Sequence, residues 1–245
     1  MTEHIRRAHD AGRQHYGAPR VHKSLIQNGI QIGLGRVARL MRKARIQGTC
    51  SRLQCSHGGT KLRKYFAAPT NLRLDNPVTG INQTWCMDVT YLRVGHLWHY
   101  LATIIDVHSR RVIAYRLGPD RTAALTSQTF IQAVQARRPP AGLILHTDRG
   151  MEFLAKEFQD TLRLYNAQHS ANRPWRMNDN AHIETFFHSL KSEGIFGSIF
   201  TSTDQLMQDV DSYICFYNTW RLHSSIGYLS PIHFELTCQA KNQPN

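Results

Sequence analysis

Apolar residues recur every three or four positions near the start of this chain, and β-branched and aromatic residues gather in runs through its middle. In YGAPRVHKSLIQNGIQIGLGRVARLMRKARIQG (16–48), Val21, Leu25 and Ile26 form one apolar face. Val37, Leu40, Met41 and Ala44 form another at offsets of 0, 3, 4 and 7. Both runs predict amphipathic helices. Pro19 fits the opening position of the first, Asn28-Gly29 stops it, and the second starts at about Leu34. Residues 1–13 are polar and basic and read as the end of a helix that begins upstream.

From residue 81 the pattern changes. Strand signals run over Thr84–Leu92, Leu97–Val107 and Arg111–Leu117, parted by short turns at Val94-Gly95-His96 and His108-Ser109-Arg110. That spacing predicts three antiparallel strands. A helix over Thr122–Ala136 ends before Arg138-Pro139-Pro140. There follow a buried strand at 143–147, a helix over Ala155–Tyr165, a short strand near Ala167–Ser170, a helix through Glu184 and a long helix over Thr203–Trp220. Hairpin strands followed by alternating helices and strands predict an α/β fold of the ribonuclease H-like type, a mixed sheet flanked by helices. The two N-terminal helices, joined by a short Gly-containing turn, outline a helix-turn-helix. The expected division is a helix-turn-helix region over 1–48, a basic linker over 49–80 and a catalytic domain with C-terminal helices over 81–245.

Charge sharpens this picture. The 245-residue chain has a formal net charge of +13, and residues 1–80 hold 15 Lys and Arg against 3 Asp and Glu. The excess is therefore almost wholly N-terminal, the footprint of an anion-binding front end. Arg36, Arg39, Arg42 and Lys43 all lie off the apolar stripe of the second helix, where they are candidates for DNA contact. Five cysteines form no tidy disulfide frame, and no signal peptide or long apolar span is visible, so a cytoplasmic protein without a membrane partner is expected. A zinc site from His15, His22, Cys50 and Cys55 is disfavoured by its wide C-x4-C gap and by the helical setting of His22.

Three carboxylates carry the candidate chemistry. Asp88 lies within WCMDVTYL (85–92). Asp148 follows the apolar run Gly142-Leu143-Ile144-Leu145, and 35 residues separate Asp148 from Glu184. Glu184 sits on a helix whose apolar stripe is Ile183, Phe186, Phe187 and Leu190. Acids on separate buried elements repel one another, and a pair of divalent cations offsets that repulsion. Asp106 and Glu152 are rival carboxylates; Asp106 reads as structural, bonding Ser109 or Arg110 across its turn. Trp85, Trp98, Tyr100, Phe186 and Phe187 read as core. Asn218, Arg221 and His223 read equally well as backbone-gripping or helix-end packing residues.

YGAPRVH, RVARLMR, WCMDVTYL, DVHSRRVIAY, HTDRGMEF, DNAHIETFFHSLKSE, YNTWRLHSSIGYLSP and the final HFE, in that order, resemble the catalytic, second-frame (OrfB-type) transposases of bacterial insertion sequences, relatives of retroviral integrases. The resemblance covers nearly the whole chain. It implies an Asp, Asp, 35 residues, Glu set of metal-binding and catalytic acids, occupied here by Asp88, Asp148 and Glu184. It also implies a basic residue seven positions on, matched by Lys191. Two Mg²⁺ ions, replaceable by Mn²⁺, would serve in-line attack on a phosphodiester, because hard cations prefer oxygen ligands. Lys191, Arg149 and His188 would touch DNA. Met87 and Met151 depart mildly from the family's wording. The expected function is strand cleavage and strand transfer at mobile-element ends by a homo-oligomer on double-stranded DNA (element ends and target), with an upstream-frame product as a further partner, in the bacterial cytoplasm at the nucleoid. The alternative is a catalytically inactive DNA-binding remnant acting as competitor or repressor.

Overall fold

A computed structural model describes residues 1–49, 69–173 and 177–241. Three helices come first: α1 (Thr2–Ala11), α2 (Ala18–Gln27) and α3 (Leu34–Lys43). Gly17 and Pro19 set the start of α2, Asn28 closes it, and Gly29 follows at φ +78°, a conformation that suits a residue without Cβ. Val21, Leu25, Val37 and Met41 are buried, while Arg36, Arg39, Arg42 and Lys43 are exposed, as the periodicity predicts.

The sheet has five strands in the order β3-β2-β1-β4-β5. β1 (Thr84–Val94), β2 (Leu97–Asp106) and β3 (Val112–Gly118) form an antiparallel meander. The turn after β2 is built by Asp106, whose carboxylate accepts bonds from the backbone N–H groups of Asn82 (2.7 Å), His108 (2.9 Å) and Ser109 (2.8 Å). Three backbone donors on one buried carboxylate make this residue structural, as its place in the sequence suggests. The meander leads into α4 (Ala123–Arg137), whose N-cap Thr122 accepts a bond from Leu125 N–H. β4 (Ile144–Thr147) then pairs parallel with β1, and β5 (Gln168–Ala171) parallel with β4. Between them lie α5 (Met151–Leu154), a short turn not anticipated from periodicity, and α6 (Lys156–Leu164).

One face of the sheet is covered by α4 and α6 through Trp85, Met87, Phe130, Phe153 and Phe158. The opposite face carries α7 (Ala181–Ser189), which runs into a π-helical turn at Leu190–Ile195, and α8 (Thr203–Thr219). A last helix, α9 (Pro231–Lys241), is stapled to the sheet by Glu235, which accepts bonds from Ser109, Arg111 and Arg137.

The N-terminal helices are not a detached head. Ile5, Val21, Leu25, Val37 and Met41 belong to the same continuous apolar core as Ile183, Phe186, Leu206, Tyr213 and Phe216. Tyr16 Oη donates to the carbonyl of Trp220 (3.1 Å) and accepts from the N–H of Leu222 (3.0 Å); Arg20 Nε donates to the Leu222 carbonyl (3.0 Å). Gly48 closes the unit so tightly that a Cβ there would lie 2.7 Å from Gly17 N and 2.8 Å from the His15 carbonyl oxygen.

Arg221 and His223, which the sequence left open between gripping DNA and packing, are packed. Arg221 is 4% exposed and grips Glu193 through Nε and Nη2, both at 2.7 Å, and also Ser189 Oγ (3.1 Å). Tyr213 Oη donates to the same Glu193 carboxylate (3.0 Å), and Asn218 pairs both ways with the Val112 backbone.

Candidate active site

β1, β3 and β4 point the same way, so their C-terminal ends share one end of the sheet. Met87 is in register with Thr147, and Asp88 and Asp148 are the next residues on the two strands. Neighbouring parallel strands lie roughly 4.8 Å apart, so two carboxylates start from adjacent backbones. Asp148 leaves its strand in a tight Asp-x-Gly turn, its Oδ1 accepting the Gly150 N–H at 2.7 Å. Asp88 Oδ1 accepts the N–H of Val89 at 2.7 Å.

Burial penalises the Asp88 charge and the Asp148 carboxylate repels it; together they push Asp88 up to about 8 despite the Val89 bond and nearby Arg121. Such a pair of hard oxygen donors with excess negative charge fits a divalent cation.

Two residues at this end of the sheet add to the acids. Arg121 comes from the β3–α4 loop and brings Nη2 to 3.8 Å from Asp148 Oδ2. Its Nε donates to Glu152 Oε1 at 2.7 Å, and Nη2 pairs with the same oxygen. Glu152 is only 7% exposed; burial raises its pKa and Arg121 opposes the rise. The sequence marked Glu152 as a rival acid and did not single out Arg121. Topology is the signal that finds it: β1, β3 and β4 run the same way, so the loop after β3 lies toward the end of the sheet where β4 stops.

Glu184 lies on the exposed side of α7, whose buried side, Ile183, Phe186 and Phe187, packs toward β1 and α8. Among the described residues, no three His, Cys, Asp or Glu side chains stand close enough to hold one metal ion. The structure brings Asp88 and Asp148 together on adjacent strands and presents Glu184 from α7. Lys191 is half-buried in the π-helical turn, its Nζ 4.5 Å from the centre of the Tyr91 ring. His188 is half-buried one turn after Glu184. Arg149 donates through Nε to the Asn172 carbonyl (2.7 Å), bracing the segment after β5. Of the disfavoured zinc set, His15 bonds Thr49 Oγ1 and His22 bonds the Ile32 carbonyl; Cys50 and Cys55 lie outside the described residues. The linker assigned to 49–80 is outside them over 50–68.

An acid pair at the end of a five-stranded mixed sheet with helices on both faces defines a ribonuclease H-like core of the integrase class. Comparison with known proteins agrees. The integrase core domain family matches residues 79–177, a second integrase core domain family matches 184–237, and an HTH-like domain family matches 1–53. The chain is 37% identical over 224 residues to the transposase InsF of insertion sequence IS3A from Escherichia coli K12, covering 91% of this chain and 77% of that protein. It is 34% identical over 242 residues to a 31 kDa protein of insertion element IS600 from Shigella sonnei, covering 94% and 85%. Solved structures of similar fold include the catalytic core of HTLV-2 integrase in complex with magnesium, at 19% identity and a TM-score of 0.50, covering 63% of this chain and 96% of that one. The core of BIV integrase matches at 18% and 0.50, covering 66% and 99%. The chain belongs to the insertion-sequence transposases with an integrase core, in the IS3 group.

Proposed function

We propose that this chain is a DDE-type transposase that cuts and joins DNA at the ends of a mobile element, with Asp88, Asp148 and Glu184 as its metal-binding and catalytic acids. The observation that carries the reading is the carboxylate pair where the pairing of β1 with β4 ends, Asp88 being raised to about 8 by its burial and then by the charge of Asp148. Divalent cations, two Mg²⁺ or Mn²⁺, would lower the barrier by activating the attacking oxygen and stabilising the leaving one. The chain's own residues do the rest. Asp88 and Asp148 hold their carboxylates fixed on a rigid sheet, and Glu184 completes the set from a helix when DNA docks. Arg121 and its partner Glu152 balance charge beside Asp148. Lys191, with Arg149 and His188 nearer the acids, meets backbone phosphates. Arg36, Arg39, Arg42 and Lys43 present an exposed basic face to the duplex. Residues 1–48, 49–80 and 81–245 act as DNA-binding region, linker and catalytic domain.

The partners are double-stranded DNA, further copies of the chain on that DNA and an upstream-frame product, at the bacterial nucleoid; among the described residues no helix is long and apolar enough to cross a membrane. Purified protein given labelled element-end DNA and Mn²⁺ tests the reading. Cleavage that Asp148→Asn abolishes supports it. A mobility shift without cleavage by the wild type supports the inactive remnant, and full activity in Glu184→Gln removes Glu184 from the site.

A further inference from the structure

Trp98, expected in the core, is 49% exposed, and Tyr91 on the neighbouring strand is 58% exposed. Their rings meet edge to face, centroids 5.1 Å apart and planes at 89°. Each ring also carries a cation. Lys191 Nζ lies 4.5 Å from the Tyr91 centroid, and Arg93 Cζ lies 5.8 Å from that of Trp98. Exposed aromatics are costly to leave in water, and two together with two cations form a patch rather than a scattered surface residue.

Its place in the fold adds to its chemistry. The pairing of β4 with β1 starts at Thr84↔Ile144 and ends at Met87↔Thr147, so beyond Asp88 the strand edge opposite β2 has no partner among the described strands. Tyr91 stands three residues past Asp88, about 10 Å along that edge at the usual strand rise. Side chains alternate along β1, so Tyr91 faces the Trp85–Met87 side of the sheet and Asp88 the other. A nucleic-acid strand whose phosphate lies at Asp88 and Asp148 would bring its next bases onto these rings by passing over the unpaired edge, where Lys191 from the turn after α7 meets the Tyr91 ring. Aromatic faces accept any base, and cations beside them neutralise phosphates. A purely apolar protein partner would have to desolvate Arg93 and Lys191, whereas a polyanion is drawn to them.

We infer that Tyr91 and Trp98, flanked by Arg93 and Lys191, form a stacking platform for unpaired nucleotides at the DNA end next to the acids. This rests on the reading of the chain as a DNA-joining enzyme, but the binding it concerns needs no cleavage. The full chain, in chelator, is titrated with a duplex carrying a single-stranded oligo-dT tail and with the same duplex blunt. Tyr91→Leu and Trp98→Ala should each weaken the tailed duplex by about 5- to 150-fold, the range for losing one stacked base, and change the blunt one less than twofold. Trp98→Phe, which keeps a ring, should restore tail binding. A tail containing 5-iodouracil should photocrosslink to Tyr91 or Trp98. Asp148→Asn, inactive in cleavage, should keep full tail preference, so loss of cleavage and loss of the platform are scored separately. Equal losses on both DNAs, crosslinks confined elsewhere, or a drop in the sedimenting mass of Trp98→Ala with unchanged DNA binding would overturn the proposal; the last would identify the patch as an interface with a second copy.

Discussion

Replacing Glu193 by Gln tests what joins the N-terminal helices to the Glu184 helix. The Glu193 side chain has no solvent exposure and Arg221 only 4%, and two bonds of 2.7 Å link them. Arg20 of α2 adds a third charge, Nη1 at 3.9 Å from Glu193 Oε1. Removing one partner of a buried pair leaves the other charge stranded, a loss of about 3–5 kcal/mol. For a chain of this size each kcal/mol moves Tm by about 2–4 °C, so Glu193→Gln should melt about 6–20 °C lower by calorimetry. The double variant Glu193→Leu with Arg221→Met leaves only the part-exposed Arg20 without its partner and should lose less than either single variant. The pH profile supplies a second check. Burial pushes the Glu193 carboxyl up, but the bonds and charge of Arg221, with Arg20 and Tyr213, outweigh it and hold the group below its ordinary 4.5. Stability from the pair is therefore complete above about pH 4.5 and falls as pH drops through the lower folded value. The wild type should lose this increment in acid, and Glu193→Gln should lack that part of the slope. A Glu193→Gln melt within 2 °C of wild type, or single-variant losses that simply add in the double, would refute the argument.

Burial lowers His169 to about 4 from its usual 6.5, so the folded chain keeps it neutral while the unfolded chain takes up a proton. Stability should decline as pH falls from 6.5 toward 4, and His169→Gln should flatten that decline in pH-dependent denaturant melts. Asp106→Ala abandons three backbone donors and should cost about 2–4 kcal/mol in urea unfolding; a loss under 1 kcal/mol would show that the turn stands without it. Gly48→Ala drives a methyl into the Gly17 and His15 backbone, and should speed amide exchange through α2 while leaving the sheet protected. Replacing Arg36, Arg39 and Arg42 together with Ala should leave Tm unchanged, since all three are exposed. It should also reduce the slope of log affinity against log salt by up to about 3, one for each phosphate that an arginine no longer neutralises.

Periodicity is a good guide wherever one face of an element meets the core. Val37 and Met41 turn inward and the arginines outward because a helix can bury only one stripe, and Ile183, Phe186, Phe187 and Leu190 are buried together for the same reason. Asp106 is readable because a strand-ending acid before Ser-Arg has few other uses. What escapes depends on topology. Arg121 matters only because its loop lies toward the end of the sheet where β4 stops. Trp98 has a core residue's composition, yet it pairs with Arg93 at the free end of a hairpin, beyond the cover of α4. The π-helical turn at Leu190–Ile195 and the helix at Pro231–Lys241 carry no pattern distinct from their neighbours; the turn is pinned by Glu193 reaching Arg221, 28 residues later. The acids Asp88 and Asp148 are legible as a pair, while the place of Glu184 depends on how α7 sits against β1.

Because the apolar sides of α1, α2 and α3 share their core with residues 206–217, the first helices made on the ribosome must wait for some of the last. At bacterial synthesis rates of about 5–20 residues per second, that interval is on the order of 10–40 s. Throughout it Val21, Leu25, Val37 and Met41 lack their final cover, next to a surface dense with arginine. A chain released early would thus combine adhesive helices with polyanion affinity, which makes truncated products of this reading frame prone to clump on nucleic acid rather than circulate as competent fragments.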